Sequence, residues 1–175
     1  MGRIILEGFM GSGKSTYGKI LSKEFLLDFC DTDAEIERIE GCSISGLFEK
    51  KGEEYFRERE TLYLKEILEK NSFKNGVISV GGGMPVREEN RKLMRECGIV
   101  VYLKASPEVL KDRLKSSRGK RPMLKDTDLD ERVDALLKAR EGFYNEVAHH
   151  VILTDGMEIY EVVNKLKMIY NKGGR

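Results

Sequence analysis

The chain has 175 residues, with 31 lysines and arginines against 30 aspartates and glutamates, a formal net charge of +1, and 40% apolar residues. That length suits one domain burying roughly two thirds of its unfolded surface, and the balanced charge removes the basic field that nucleic-acid binding needs. No nucleic-acid partner and no membrane partner is expected, so an anionic ligand has to be met locally.

Cys30, Cys42 and Cys97 stand far apart with no CxxC pair, and the two histidines, His149 and His150, are adjacent. Neither a zinc site nor a disulfide framework is expected. Glu7 interrupts the first apolar stretch, which argues against a secretory leader. Free thiols then fit a reducing, cytoplasmic location, and the expected assembly is a monomer.

Short apolar runs alternate with longer helical patterns, the signature of crossover units and a mostly parallel sheet. RIILEG (3–8) reads as the first strand. Lys14 to Phe25 follows as a helix, with Tyr17, Ile20, Leu21 and Phe25 on one stripe. LLDFCD (26–31) reads as the second strand. From Asp33 to Asn71 there is no strand signal, and Gly41, Gly46 and Gly52 are expected to cut the stretch into short helices. Leu62, Leu64, Ile67 and Leu68 form its core stripe, and about 33–61 reads as a substrate-side insert within a single domain, 1–175. VISV (77–80), IVVYL (99–103) and VILT (151–154) complete five strands. Between the last two, Ser116 to Asp128 is irregular and charged, either a plain connection or a mobile lid.

The strongest motif is GFMGSGKST, Gly8 to Thr16, which satisfies GxxxxGK[ST] between a strand and a helix. Its glycines let successive amides turn inward around a phosphate, and the helix N-terminus adds partial positive charge. Lys14 can reach the β- and γ-phosphates, and the Ser15 hydroxyl can ligate Mg²⁺. No DxxG accompanies it, and NKLK at Asn164 lacks the aspartate of NKxD, so a guanine-nucleotide switch is unsupported.

The motif leaves the phosphoryl acceptor open. Asp31 and Asp33 lie in DTD where the second strand ends, beside the crevice in which α/β sheets bind ligands. Asp33 is either an acceptor-side carboxylate or the N-cap of the helical pattern after it. Gly81, Gly82 and Gly83 end the third strand, more glycine than a simple turn needs. Arg57 and Arg59 in FRERE point to different helix faces, so one of them faces the crevice. With Arg140, two arginine forks would hold a small carboxylate bidentately.

GFMGSGKST, DTD, FRERE, VISVGGG, RGKRPML and REGFYNEVA, in this order and at these intervals, resemble the shikimate kinase family. The resemblance covers nearly the whole chain. It implies a P-loop NTPase α/β fold similar to the nucleoside monophosphate kinases: a five-stranded parallel sheet flanked by helices, with a helical substrate-binding region and a lid at about 116–128. It implies ATP-dependent phosphorylation of the 3-hydroxyl of shikimate to 3-phosphoshikimate, toward chorismate and aromatic amino acids, with ATP and Mg²⁺. By the same resemblance Lys14, Asp33 and Arg121 are catalytic. Gly11, Ser12, Gly13, Lys14, Ser15 and Thr16, with Arg113 and Arg121, hold the nucleotide. Asp33, Arg57, Gly81, Gly82, Gly83 and Arg140 hold shikimate, and Ser15 and Asp31 serve the metal.

Two departures stand out: Val80, after Ser79, occupies a place where the family often has threonine, and Met84 and Pro85 follow the glycines. The alternatives are another P-loop kinase, for gluconate or a nucleoside monophosphate, and a non-catalytic ATP-binding regulator. The carboxylate clamp, the triple glycine and DTD disfavour the first; Lys14, Asp33 and Arg121 together disfavour the second.

Overall fold

A computed structural model describes residues 2–69, 73–116 and 129–173. Among these, five strands form one parallel sheet: β1 (Arg3–Glu7), β2 (Asp28–Asp31), β3 (Gly76–Ser79), β4 (Ile99–Lys104) and β5 (His150–Leu153). Their order across the sheet is β2-β3-β1-β4-β5. Parallel neighbours demand crossovers, which are α1 (Lys14–Phe25), α2 (Thr32–Glu40), α3 (Ile44–Glu69), α4 (Glu88–Cys97), α5 (Pro107–Ser116) and α6 (Leu129–Val147); α7 (Ile159–Gly173) follows the last strand.

Because both faces of the sheet are covered, the central strands read as continuous apolar runs rather than alternating ones. In β1, Ile4 and Leu6 pack with residues of α1 and α7, including Leu21 and Leu166, whereas Ile5 packs with Leu64, Met94 and Val147 on the other side. Glu7 follows Ile5 onto that second face by the same alternation.

Strand limits differ from the expected ones by a residue or two. At the second strand the cause is specific. Leu26 lies in the left-handed region at φ 54° as the C-cap of α1, and the Leu27 N–H donates to Ser22 O at 2.8 Å. Those amides close the helix and leave the ladder to begin at Asp28.

The inserted region is cut at Gly41 and at Gly52, as expected, but not at Gly46. Gly41 ends α2 at φ 68°, and Gly52, at φ 84° and ψ 163°, kinks α3. Gly46 breaks nothing: its amide donates to Ser43 Oγ at 3.2 Å, so it belongs to a capped first turn. The expected core stripe also shifts, since Leu64 and Ile67 are buried while Leu62 is 45% exposed. Ile36, Leu47 and Phe56 make a small apolar cluster of their own, joining α2 to both halves of α3.

The segment expected to be lid or connection lies, from 117 to 128, outside the described residues, and Arg121 with it.

Candidate active site

Phe9 to Gly13 link β1 to α1 as a tight loop, in which Ser12 N–H donates to Phe9 O at 3.2 Å. Gly13, at φ 95°, is the N-cap of α1 in a conformation that side-chain-bearing residues resist. The Lys14 ammonium folds over this loop, donating to Gly8 O at 2.9 Å and Phe9 O at 3.0 Å. Gly11, Ser12, Gly13, Lys14, Ser15 and Thr16 are thus contiguous around one helix N-terminus, where anions are favoured. Arg113, near the end of α5, joins them by donating to Gly11 O at 3.3 Å.

Beside the loop, Ser15 Oγ donates to Asp31 Oδ2 at 2.5 Å and lies 3.3 Å from Ser79 Oγ. The set is all oxygen, one carboxylate and two hydroxyls, which suits a hard divalent cation that keeps several waters and takes its remaining ligands from phosphate. Ser79, which precedes Val80, is brought in by its pairing with β1 and β2. Asp31 is also the N-cap of α2, accepting from the Ala34 amide at 3.3 Å. The capping role therefore belongs to Asp31, not Asp33, which lies within the first turn of α2.

Asp33 turns toward the three glycines. Its Oδ1 is shut off from solvent and has no hydrogen-bond partner among the described residues. Burial, reinforced by the Asp31 charge and opposed by Lys14 and Arg57, pushes its carboxyl up to about 6. The glycines explain themselves by contact. A Cβ on Gly81 would run into Asp33 Oδ1 and come within 3.0 Å of Glu60 Oε1, and one on Gly83 would run into the Arg57 guanidinium. Gly82 backs onto Gly8 O and Met10 N of the phosphate loop. The Gly81 amide donates to Thr32 Oγ1 at 3.1 Å, and Tyr144 Oη donates to Gly82 O at 2.5 Å.

Arg57 lies between two acids of its own helix, donating to Glu53 Oε1 and Glu60 Oε2, each at 2.7 Å. Burial works against its charge, and Glu60 and Glu53 more than restore it. Glu60 is fully buried, its Oε1 unpartnered among the described residues, and burial lifts its carboxyl to about 7 despite Arg57. Arg140 adds a second positive influence on Glu60 and acts on Tyr144 as well. Both arginines, from distant helices, thus act on one buried carboxyl, Arg57 by direct contact. Arg59 is turned away and pairs with Glu40 at 2.8 Å.

Glu60, Tyr144 and Thr32 were missed as site residues. Glu60 carried one signal, its position one helical turn after Arg57; Thr32 and Tyr144 lie inside the DTD and REGFYNEVA motifs, whose other residues drew the assignment.

The shikimate kinase family model matches residues 10–170. The chain belongs to the shikimate kinase family. It is 40% identical over 166 residues to the shikimate kinase of Pelotomaculum thermopropionicum, covering 95% of this chain and 94% of that one. It is 40% identical over 170 residues to the shikimate kinase of Legionella pneumophila, covering 97% and 95%. Among solved structures, shikimate kinase from Acinetobacter baumannii in complex with shikimate superposes with a TM-score of 0.89 at 35% identity, covering 98% of this chain and 94% of that one. The Bacteroides thetaiotaomicron shikimate kinase gives 0.90 at 34%, covering 97% and 98%. The sheet with its crossover helices is therefore the P-loop kinase fold of shikimate kinases, as the sequence motifs implied.

Proposed function

We infer that the crevice between the phosphate loop and Gly81–Gly83 is where this shikimate kinase moves the γ-phosphoryl group of ATP to the 3-hydroxyl of shikimate. One observation carries the placement: Asp33 and Arg57 pack against Gly81 and Gly83, while Gly82 between them backs onto Gly8 O and Met10 N of the phosphate loop, so acceptor-side and phosphate-side groups meet across three residues.

Phosphoryl transfer needs alignment and charge compensation more than covalent help. Gly11 to Thr16 cradle the phosphates, and Lys14 leaves the loop carbonyls for the β- and γ-oxygens. Arg57 and Arg140 grip the shikimate carboxylate, which displaces Glu60 as their anion, and Gly81, Gly82 and Gly83 let the ring approach the backbone. Asp33 orients the 3-hydroxyl and accepts its proton; with a carboxyl near 6 it is ionised at neutral pH yet basic enough to help. Mg²⁺, held through Ser15 and Asp31 with Ser79 adjacent, would neutralise charge on the phosphates.

Arg113 serves the nucleotide from the loop's outer rim. The lid role of 116–128, with Arg121 compensating charge in transfer, belongs to the same proposal, as do the substrate-side insert at about 33–61, the monomeric state and the cytoplasmic location. No helix among the described residues is long and apolar enough to cross a membrane. The test is ADP release with shikimate, gluconate or CMP as acceptor. Turnover with shikimate alone is expected; preference for either rival removes the acceptor assignment.

A further inference from the structure

Glu7 is the last residue of β1, immediately before the phosphate loop, in register with Tyr102 of β4. It is fully buried, and neither carboxyl oxygen has a hydrogen-bond partner among the described residues. An acid in that position costs free energy unless it is neutral or meets a cation. The groups acting on it are few. Lys14, at the start of α1, is the cation that opposes its burial; Tyr102 and Tyr144, from β4 and α6, feel its charge. Beyond them, Glu141 acts on Tyr102, and Arg140 and Arg57 act on Tyr144. Across the crevice Asp33 faces Lys14.

We propose that Glu7 is a positioning residue for Lys14: neutral while the ammonium grips phosphate, and a competitor for that ammonium once ionised. The geometry motivates it. Lys14 donates to the carbonyls of Gly8 and Phe9, the two residues that follow Glu7, so a carboxylate at Glu7 draws the ammonium back from the phosphate path. A neutral acid leaves the full positive charge for the nucleotide. Conversely, nucleotide phosphates above the loop disfavour a second anion beneath it.

Burial holds Glu7 up to about 9, and it pushes both phenols higher than their ordinary range, so Glu7 is the first of the three to ionise. Nucleotide binding near and above pH 9 therefore takes up to one proton, and only a fraction of one at pH 9.5, from solvent onto the Glu7 carboxylate, with no bond made to the nucleotide.

The inference rests on the phosphate role of Lys14, and the experiment separates the two. ADP is titrated calorimetrically into the full chain at pH 7.5 and pH 9.5, in two buffers of different ionisation enthalpy. Affinity is expected to weaken about three- to fivefold at the higher pH, with roughly half a proton taken up per ADP. Glu7→Gln, which keeps the shape and lacks the proton, is expected to lose both effects. A Gln variant with the original uptake places the proton on another group and overturns the proposal. Independently of any variant, the ADP-induced infrared difference spectrum at pH 9.5 is expected to gain a protonated-carboxyl band, and its absence also overturns the proposal. Failure of ADP to bind at all would fall on the phosphate loop assignment, and the Glu7 proposal would go with it.

Discussion

Arg57 and Arg59 share a helix and a charge, yet one is 13% exposed against the fully buried Glu60 and the other bridges to Glu40 on α2. Two residues of helix rotate side chains by about 200°, so the divergence was legible from spacing; that Arg57 is the inward one came from the family resemblance alone, because spacing does not say how α3 docks. Arg57→Ala should raise KM for shikimate at least about 30-fold, the loss of a desolvated charge-assisted pair worth about 2 kcal/mol or more, with KM for ATP little moved. Arg59→Ala should change KM less than about threefold, since a partly exposed ion pair contributes at most about 1 kcal/mol. Steady-state kinetics on both variants decide it, and equal effects reverse the choice. Glu60 shows the limit of residue-level reading. Its spacing to Arg57 is visible in FRERE, but its lack of solvent comes from β3 and the glycines that close over it.

At the scale of elements, backbone handedness accounts for most departures from the expected pattern. A glycine signals freedom without saying whether the chain uses it. Gly46 sits in an ordinary helical turn, whereas Gly52 adopts φ 84° and ψ 163°, a region almost closed to other residues. Leu26 does the reverse, taking φ 54° while 94% exposed, a helix end where glycine is normal. Opposite outcomes follow. Gly52→Ala should destabilise by about 1–3 kcal/mol, and Leu26→Gly should stabilise by about 1 kcal/mol, each read from urea unfolding midpoints. Unchanged midpoints would mean that the kink and the cap relax at no cost. The run of helix through Gly46 was not legible from glycine positions because Ser43 caps its start and the α2 cluster supports the stretch before Gly52.

For the whole molecule, pH couples to stability through buried acids. Glu7 titrates at about 9 and Glu60 at about 7, both above their unfolded values near 4.3. A raised acid gives stability that is complete below the unfolded value and is lost as pH climbs to the folded one. The Glu60 share is therefore gone by about pH 7, and the Glu7 share continues to fall until about pH 9. From pH 7 to 9 the loss through Glu7 should be about 2 kcal/mol, and Glu7→Gln should flatten it. Denaturant unfolding at the two pH values tests this; a slope that survives the substitution assigns the loss elsewhere.

At the far end of the sheet a cavity of about 520 Å³ is bordered by Arg3, Arg95 and the start of β5. There Arg3 donates to Ile67 O and Phe73 O, and Arg95 to Glu146 O and Val147 O. These cations satisfy carbonyls where α3 and α6 end, which places their charge in the service of the fold.

By itself the sequence determined the five parallel strands, the phosphate loop and the family, because each depends on contiguous residues: apolar runs, glycines that permit inward-facing amides, and a lysine and serine at a helix start. Only the tertiary structure decided that Arg57 pairs with a buried Glu60, that Ser79 joins Ser15 and Asp31, and that Glu7 and Glu60 lie out of water. Desolvation and charge proximity are set by strands and helices that come together from remote parts of the chain, and local pattern carries no record of them.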